Sequence, residues 1–250
     1  MSVERLAALI VERQPCVVLT GAGVSTESGI PDFRSPGGIW ASYDPMEYAT
    51  IDAFRRDPLK VWEFYGQRLE MLRTALPNGA HEALARLERD GLVRAIVTQN
   101  VDRLHELAGS RDVVEVHGSI RTASCRSCGA KATFEEVLRQ LESARAPRCA
   151  PCGSVLKPDV VMFGELLPTA ALDRAVELAA AARLLLVVGS SLAVYPVAAL
   201  PETTLRAGGA VAIVNAEPTP FDDEAAVVIH APAEKTLSTL RRQVGAVPGT

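Results

Sequence analysis

Short and almost uninterrupted apolar runs punctuate the chain at 16–20 (CVVLT), 92–97 (LVRAIV), 113–116 (VVEV), 184–188 (LLLVV) and 210–214 (AVAIV). Each is too short for a helix and lacks the polar alternation of a half-exposed strand. The runs therefore predict strands buried on both faces. Between them, hydrophobic positions recur at helical spacing. Val3, Leu6, Ala7, Ile10 and Val11 line one face of an amphipathic helix near the start. Pro58, directly after Asp57, fits the first turn of a second helix. Asn78 and Gly91 bracket a third, as an N-cap and a left-handed stop. Further helical patterns cover about 168–182 and 196–207. Strands alternating with helices predict an α/β fold, a Rossmann-like doubly wound parallel sheet.

Two stretches break the alternation. Residues 36–75 are mostly helical in pattern and carry Trp62, Phe64 and Tyr65, while 119–156 hold four paired cysteines around one helical pattern. Both are expected to be insertions, one helical and one a zinc ribbon. Together they would build a smaller domain beside a nucleotide-binding domain formed by 1–35, 76–118 and 157–250.

Composition narrows the function classes. Hydrophobic residues make up 48% of the chain, enough for a sizeable core, and the formal net charge is −4. That balance disfavours a nucleic-acid interface and suits basic partners such as lysine-rich segments. Charges interrupt the first helix, so it does not read as a secretory segment, and no apolar run is long enough to span a bilayer. The expectation is a soluble, cytoplasmic protein with no membrane partner.

The cysteines are more specific. Cys125-x2-Cys128 and Cys149-x2-Cys152 form two knuckles separated by residues 129–148. Four thiolates at this spacing suit tetrahedral Zn2+, and because they leave no open position the ion would be structural. Iron also accepts an all-sulfur tetrahedron. The fifth cysteine, Cys16, falls within an apolar run and reads as a small core residue.

Gly21-Ala22-Gly23 follows the first run, where glycines would let backbone N–H groups approach a pyrophosphate. A third glycine and a downstream acidic residue are missing, which disfavours an ordinary Rossmann dehydrogenase. Gly189-Ser190-Ser191 and Asn215 follow two other runs. In doubly wound sheets ligands collect at the strands' carboxyl ends.

From Gly21 the chain continues GAGVSTESGIPDFRS to Ser35. Thr98–His105 reads TQNVDRLH, Val116–Ser119 reads VHGS, and the paired cysteines follow. Lys157–Glu165 (KPDVVMFGE), Gly189–Leu192 (GSSL) and Ile213–Asn215 (IVN) complete the series. In this order, from about residue 5 to 245, the motifs resemble those of the sirtuins of bacterial or archaeal type. The resemblance implies an NAD-dependent protein-lysine deacetylase that releases nicotinamide and O-acetyl-ADP-ribose. It also implies NAD as co-substrate, one structural Zn2+, and acylated lysine-containing proteins or peptides as partners. In the implied reaction the acyl oxygen attacks C1′ of the nicotinamide ribose. His117 then acts as general base on a ribose hydroxyl, which attacks the resulting imidate, and water completes the reaction, giving free lysine and O-acyl-ADP-ribose.

The remaining roles are implied in the same way. Asn100 and Gln99 would position the ribose and the leaving nicotinamide. Asp102, with Val101, would hold the carboxamide, and Phe33 would shield the pocket from water. Ala22, Thr26 and Arg34 would line the phosphates with Gly21, Gly23 and Gly189, with Ser190 and Ser191 opposite. Asn215 would take the adenosine ribose, and Ala233 would back the adenine. Val160, Phe163, Gly164 and Glu165 resemble the peptide groove. His81, His105 and His230 lack such context and are expected to pack or to lie on helix surfaces.

Tyr65-x-x-Arg68 sits on the helix after Pro58, where a spacing of three puts both side chains on one face. The pair resembles that of sirtuins removing succinyl and malonyl groups, for which an arginine fork is a natural carboxylate partner. Thr26 and Asp32 depart from that branch, which usually has alanine and threonine there. Deacetylation is the leading reading, with desuccinylation or demalonylation as an alternative. Mono-ADP-ribosyl transfer and a non-catalytic NAD-sensing adaptor are further alternatives. An adaptor predicts loss of the catalytic histidine, whereas His117 is present.

Overall fold

The computed structural model describes residues 2–244. In chain order the elements are α1 (Val3–Glu12), β1 (Cys16–Thr20), α2 (Pro45–Tyr48), α3 (Ile51–Arg56), α4 (Pro58–Thr74) and α5 (Gly79–Arg89). They continue with β2 (Ala95–Thr98), α6 (Leu104–Leu107), β3 (Val113–Glu115), β4 (Gly118–Ser124), β5 (Lys131–Thr133) and α7 (Phe134–Leu141). The last are β6 (Lys157–Val160), α8 (Thr169–Ala181), β7 (Leu184–Val188), α9 (Leu200–Arg206), β8 (Ala210–Val214), β9 (Val227–Ile229) and α10 (Ala233–Val244).

Six strands form one parallel sheet in the order β3-β2-β1-β7-β8-β9. The order reverses between β1 and β7, which makes their carboxyl ends the expected ligand crevice. Alternation along each strand explains the unbroken apolar runs. Cys16, Val18, Leu184, Leu186, Ala212 and Val214 pack into one core with Leu6, Ile10, Leu84 and Leu237 of α1, α5 and α10. Val17, Leu19, Leu185, Val187, Val211 and Ile213 face the other core, with Leu178 of α8 and Leu200 of α9. A strand covered on both faces takes a polar side chain only where it finds a buried partner, as Thr20 and Thr98 do with each other at the ends of β1 and β2.

Several boundaries differ from the sequence reading. Gly91, at φ +77°, turns the chain after α5, so Leu92 and Val93 belong to that turn and β2 starts at Ala95. The pattern at 196–207 divides into a short 3-10 turn, Val197–Ala199, followed by α9. The edge strand β9 and the helix α10 were not anticipated.

The smaller unit holds a third core, in which Phe54, Val61, Trp62, Phe64 and Leu69 pack against Ile120, Ala123, Val137 and Leu156. Trp62 is buried, and its indole N–H donates to Leu156 O at 2.7 Å. Its antiparallel sheet runs β5-β4-β6. Lys157–Val160, assigned from sequence to the nucleotide-binding unit, pairs here with β4 instead. Among the described residues, no helix is long and apolar enough to cross a membrane.

Candidate active site

The loops at the carboxyl ends of β1 and β7 meet backbone to backbone. Gly21 N–H donates to Val188 O at 3.1 Å, and Gly23 N–H to Gly189 O at 2.9 Å. A Cβ on Gly21 would stand 2.8 Å from Gly189 O, and one on Gly189 would stand 2.3 Å from Val24 N. Gly189 also has φ +61°. Both N–H groups of Gly21 and Gly23 are thus used within the protein. These glycines serve first to seat two strand ends against each other, a role the sequence reading did not assign them.

The next strand ends add polar side chains. Gln99 Nε2 donates to Ser190 Oγ at 2.8 Å, bridging the ends of β2 and β7. Asn100 Nδ2 donates to Gly21 O at 3.2 Å and to Ser25 Oγ at 3.1 Å. Asn215, after β8, donates from Nδ2 to Glu217 O at 2.6 Å, and its carbonyl meets His230 Nδ1 at 3.2 Å.

Below them lies a directed polar chain. Asn78 caps α5, and its backbone N–H donates to His81 Nδ1 at 3.3 Å. That nitrogen is therefore unprotonated, and the proton sits on Nε2, 3.4 Å from Ser25 Oγ. Ser25 donates to Asp102 Oδ2 at 2.7 Å, and Leu104 N–H donates to Asp102 Oδ1 at 3.0 Å. Burial pushes the Asp102 carboxyl above its usual value, against the lowering effect of these two bonds. His105 packs on His81 with ring centroids 4.9 Å apart, and its Nε2 lies 2.9 Å from Thr20 Oγ1. Burial lowers His81 to about 4 and His105 to about 3. The packing role expected for these two histidines holds. Ser25, absent from the sequence-level assignment, is the hub connecting Asn100, Asp102 and His81. His230 instead lies on the surface, facing Asp222 Oδ2 at 3.0 Å.

His117 follows β3. Its Nδ1 lies 3.0 Å from Gln99 O, a pure acceptor, so Nδ1 carries the proton and Nε2 keeps its lone pair. Burial lowers its pKa, opposed by the bond to Gln99 O and assisted by the Arg34 charge. A neutral imidazole with a free Nε2 is the form a general base requires.

One cavity of about 710 Å3 gathers these parts. His117, Asn100, Gln99, Val101 and Asp102 line it with Gly21, Ala22, Gly23, Thr26, Phe33 and Arg34. Gly189, Ser190, Ser191, Asn215 and Ala233 line it too. Tyr65, Arg68, Val160, Phe163, Gly164 and Glu165 line it as well. Trp40, Ile120, Val194 and Tyr195, which no motif marked, also line it, as does Ile30, which the first motif contains without an assigned role.

Tyr65 is buried, which raises its hydroxyl pKa to about 12. The Arg68 guanidinium lies over Phe33 at 4.9 Å and Phe64 at 5.5 Å. Burial pushes its pKa down, and among the described residues it makes no ion pair with a carboxylate.

The four paired cysteines converge. Their Sγ atoms all lie within 4.8 Å of one another, with Cys125–Cys152 and Cys128–Cys149 at 3.4 Å. These are not disulfide distances, and all five cysteines are free. The two knuckles repeat one geometry. Gly129 N–H donates to Cys125 O and Gly153 N–H to Cys149 O, with both glycines near φ +75°. Hydrogen bonds from Ser154 lower the Cys152 thiol to about 6. A tetrahedral Zn2+ with Zn–S bonds of about 2.3 Å fits this donor set.

The Sir2 family model matches residues 21–196. A protein of Caldivirga maquilingensis named NAD-dependent protein deacetylase is 45% identical over 241 residues, covering 96% of this chain and 93% of the relative. One of the same name from Thermotoga maritima is 46% identical over 223 residues, covering 89% and 90%. A solved structure of Sir2 with p53 peptide and NAD+ superposes with TM-score 0.90 at 40% identity, covering 99% of this chain and all of that one.

Proposed function

The chain belongs to the Sir2 family, and from that premise we propose that it is an NAD-dependent protein-lysine deacetylase releasing nicotinamide and O-acetyl-ADP-ribose. The observation that carries the proposal is His117, held with its free Nε2 in the cavity that the strand ends open. NAD supplies the ribose carbon at which the acyl oxygen displaces nicotinamide. The protein's part is to bind, orient and move one proton.

In this reading Thr26, Arg34, Ser190 and Ser191 hold the phosphates, and Gly21–Gly23, without side-chain bulk at the glycines, let them lie close to the loop. Asn215 and Ala233 take the adenosine end. Asn100 is fixed by Ser25 and Gly21, so its remaining acceptor is oriented before the ribose arrives. Asp102 keeps the carboxamide in place, and its orientation comes from Ser25 and Leu104. Phe33, with Arg68 across its ring, closes the pocket to water. His117 Nε2 takes the proton of a ribose hydroxyl, and the proton on Nδ1 stays with Gln99 O. Val160–Glu165 receives the peptide as an extended strand. Cys125, Cys128, Cys149 and Cys152 hold Zn2+ away from the chemistry, as a structural ion.

A second reading, removal of succinyl or malonyl groups, rests on one observation. Arg68 is a cation in the cavity with aromatic neighbours and no carboxylate partner among the described residues.

Replacing His117 with Ala tests the main reading. Turnover of an acetyl-lysine peptide should fall by about 10²–10⁴ with NAD affinity preserved, as expected for a lost general base. A variant that still turned over within a few-fold of the parent would sink the assignment.

A further inference from the structure

Lys157 is only 8% exposed, yet its ammonium is fully used. It donates to Pro158 O at 3.0 Å and Val160 O at 2.9 Å, and pairs with Glu165 Oε2 at 2.8 Å. Two backbone carbonyls accept from the ammonium, and the Glu165 carboxylate supplies its counter-charge. Glu165 Oε2 also accepts Met162 N–H at 3.0 Å, and Glu165 N–H closes the turn onto Met162 O at 3.0 Å. Gly164, at φ +86°, permits that turn. The segment 157–165 is therefore wrapped around a single buried ammonium.

Besides its pairing with β4, several bonds tie this segment to the rest of the molecule, among them Ile51 N–H to Phe163 O at 3.0 Å. Val161 N–H donates to His117 O at 2.8 Å, and Phe163 N–H to Ala49 O at 2.9 Å. One tie joins two side chains at the edge of the zinc module: Arg126 Nη1 lies 3.2 Å from Glu165 Oε1. Arg126 sits inside the first cysteine knuckle, between Cys125 and Cys128. Both carboxylate oxygens of Glu165 are thus engaged by the protein.

We propose that the side chains of Lys157 and Glu165 are positioning groups, shaping the peptide groove through bonds within the protein. Arg126 couples that shape to the metal-bound knuckle. This rests on the reading of Val160–Glu165 as the acyl-peptide groove. It assigns the zinc module a task beyond holding its own fold: its first knuckle sets one wall of the substrate site. The same wall is bonded through Val161 to the backbone of His117, so groove and general base share one support.

The test uses the full chain with Arg126→Ala and Glu165→Gln. Affinity for an acetyl-lysine peptide is read by fluorescence anisotropy, NAD affinity by calorimetry, zinc content by a colorimetric chelator, and amide exchange at 157–165 by mass spectrometry. Arg126→Ala should weaken peptide binding about threefold, the scale of a half-exposed ion pair. Amide exchange at Val161–Phe163 should speed up, with NAD affinity and zinc content unchanged. Glu165→Gln unpairs the buried ammonium and should weaken peptide binding at least about tenfold. Arg126→Lys should restore part of the loss.

Unchanged exchange and peptide affinity in both variants would overturn the proposal. So would equal loss of peptide and NAD affinity, or zinc release from Arg126→Ala, since each places the defect elsewhere. If the parent protein bound no acetyl-lysine peptide, the functional reading would fall. Exchange at the three amides would then decide this inference alone.

Discussion

The two buried histidines packed against each other near Ser25 predict a specific acid sensitivity. His81 and His105 are 0% and 1% exposed and are held neutral, with pKa values near 4 and 3 against an ordinary 6.5. Both folded values are depressed, so stability is complete above the unfolded value. It is lost as pH falls from 6.5 towards 4 for His81 and towards 3 for His105. At pH 5 the unfolded chain has bound almost a full proton at each site and the folded chain almost none. Linkage then costs about 2 kcal/mol per histidine relative to pH 8. Together that is about 4 kcal/mol, a large share of the 5–15 kcal/mol typical of a folded protein.

His105→Phe isolates one half of this effect. His105 Nδ1 has no hydrogen-bond partner, and Thr20 keeps its bond to Thr98 at 2.8 Å when Nε2 is gone. Any repacking penalty of the larger ring is independent of pH and cancels in the comparison. Urea unfolding at pH 8 and pH 5, for parent and variant, gives the difference of differences. The variant should lose about 2 kcal/mol less than the parent between the two pH values. Parallel losses in the two proteins would refute the argument, because they would mean that acid acts on other groups.

Three further outcomes follow from the site. Gly189→Ala drives a Cβ to 2.3 Å from Val24 N at a residue with φ +61°, and should cost at least about 2 kcal/mol of stability and abolish NAD binding; a fully NAD-competent variant in calorimetry would count against the seating of the two strand ends. Stripping the metal with a chelator should lower Tm and expose the core around Trp62, which shares its cluster with Cys125 and Cys149. Unchanged tryptophan fluorescence and Tm after removal would contradict a structural ion. Arg68→Met should leave acetyl-lysine turnover within about threefold while cutting succinyl-lysine turnover by about a hundredfold, if a buried carboxylate pairs with Arg68; equal effects on both substrates would dismiss the second reading.

Much of the fold was legible because sheet burial leaves a direct trace. Leu184–Val188 has to be apolar at every position, since odd and even residues enter different cores. The cysteine knuckles were legible for a similar reason: four sulfurs at short spacing have few other uses. Less visible was β9, whose three residues include two only partly buried. The strands β4–β6 were hidden too, because knuckle turns and the bond network around Lys157 place them and no period marks them. The site motifs were readable as a series, but the connection through Ser25 was not. It joins residues 25, 81, 100 and 102, and only folding brings them together. One clue was available: the N-cap Asn78 with a hydrogen-bonding His81 at the third helical position forms a capping box. The roles of Gly21 and Gly23 were read as ligand clearance, whereas their neighbours are the backbone of β7's end.

The central claim is that this cavity couples NAD cleavage to lysine deacylation through His117. Its most direct test is mass spectrometry of the products after incubation with NAD and a mixture of acetyl-, propionyl- and succinyl-lysine peptides. The account predicts deacetylated peptide, nicotinamide and O-acetyl-ADP-ribose in equal amounts, with deacetylated peptide and O-acetyl-ADP-ribose cut by about 10²–10⁴ in His117→Ala. Nicotinamide released without peptide deacylation, or no consumption of NAD at all, would contradict it.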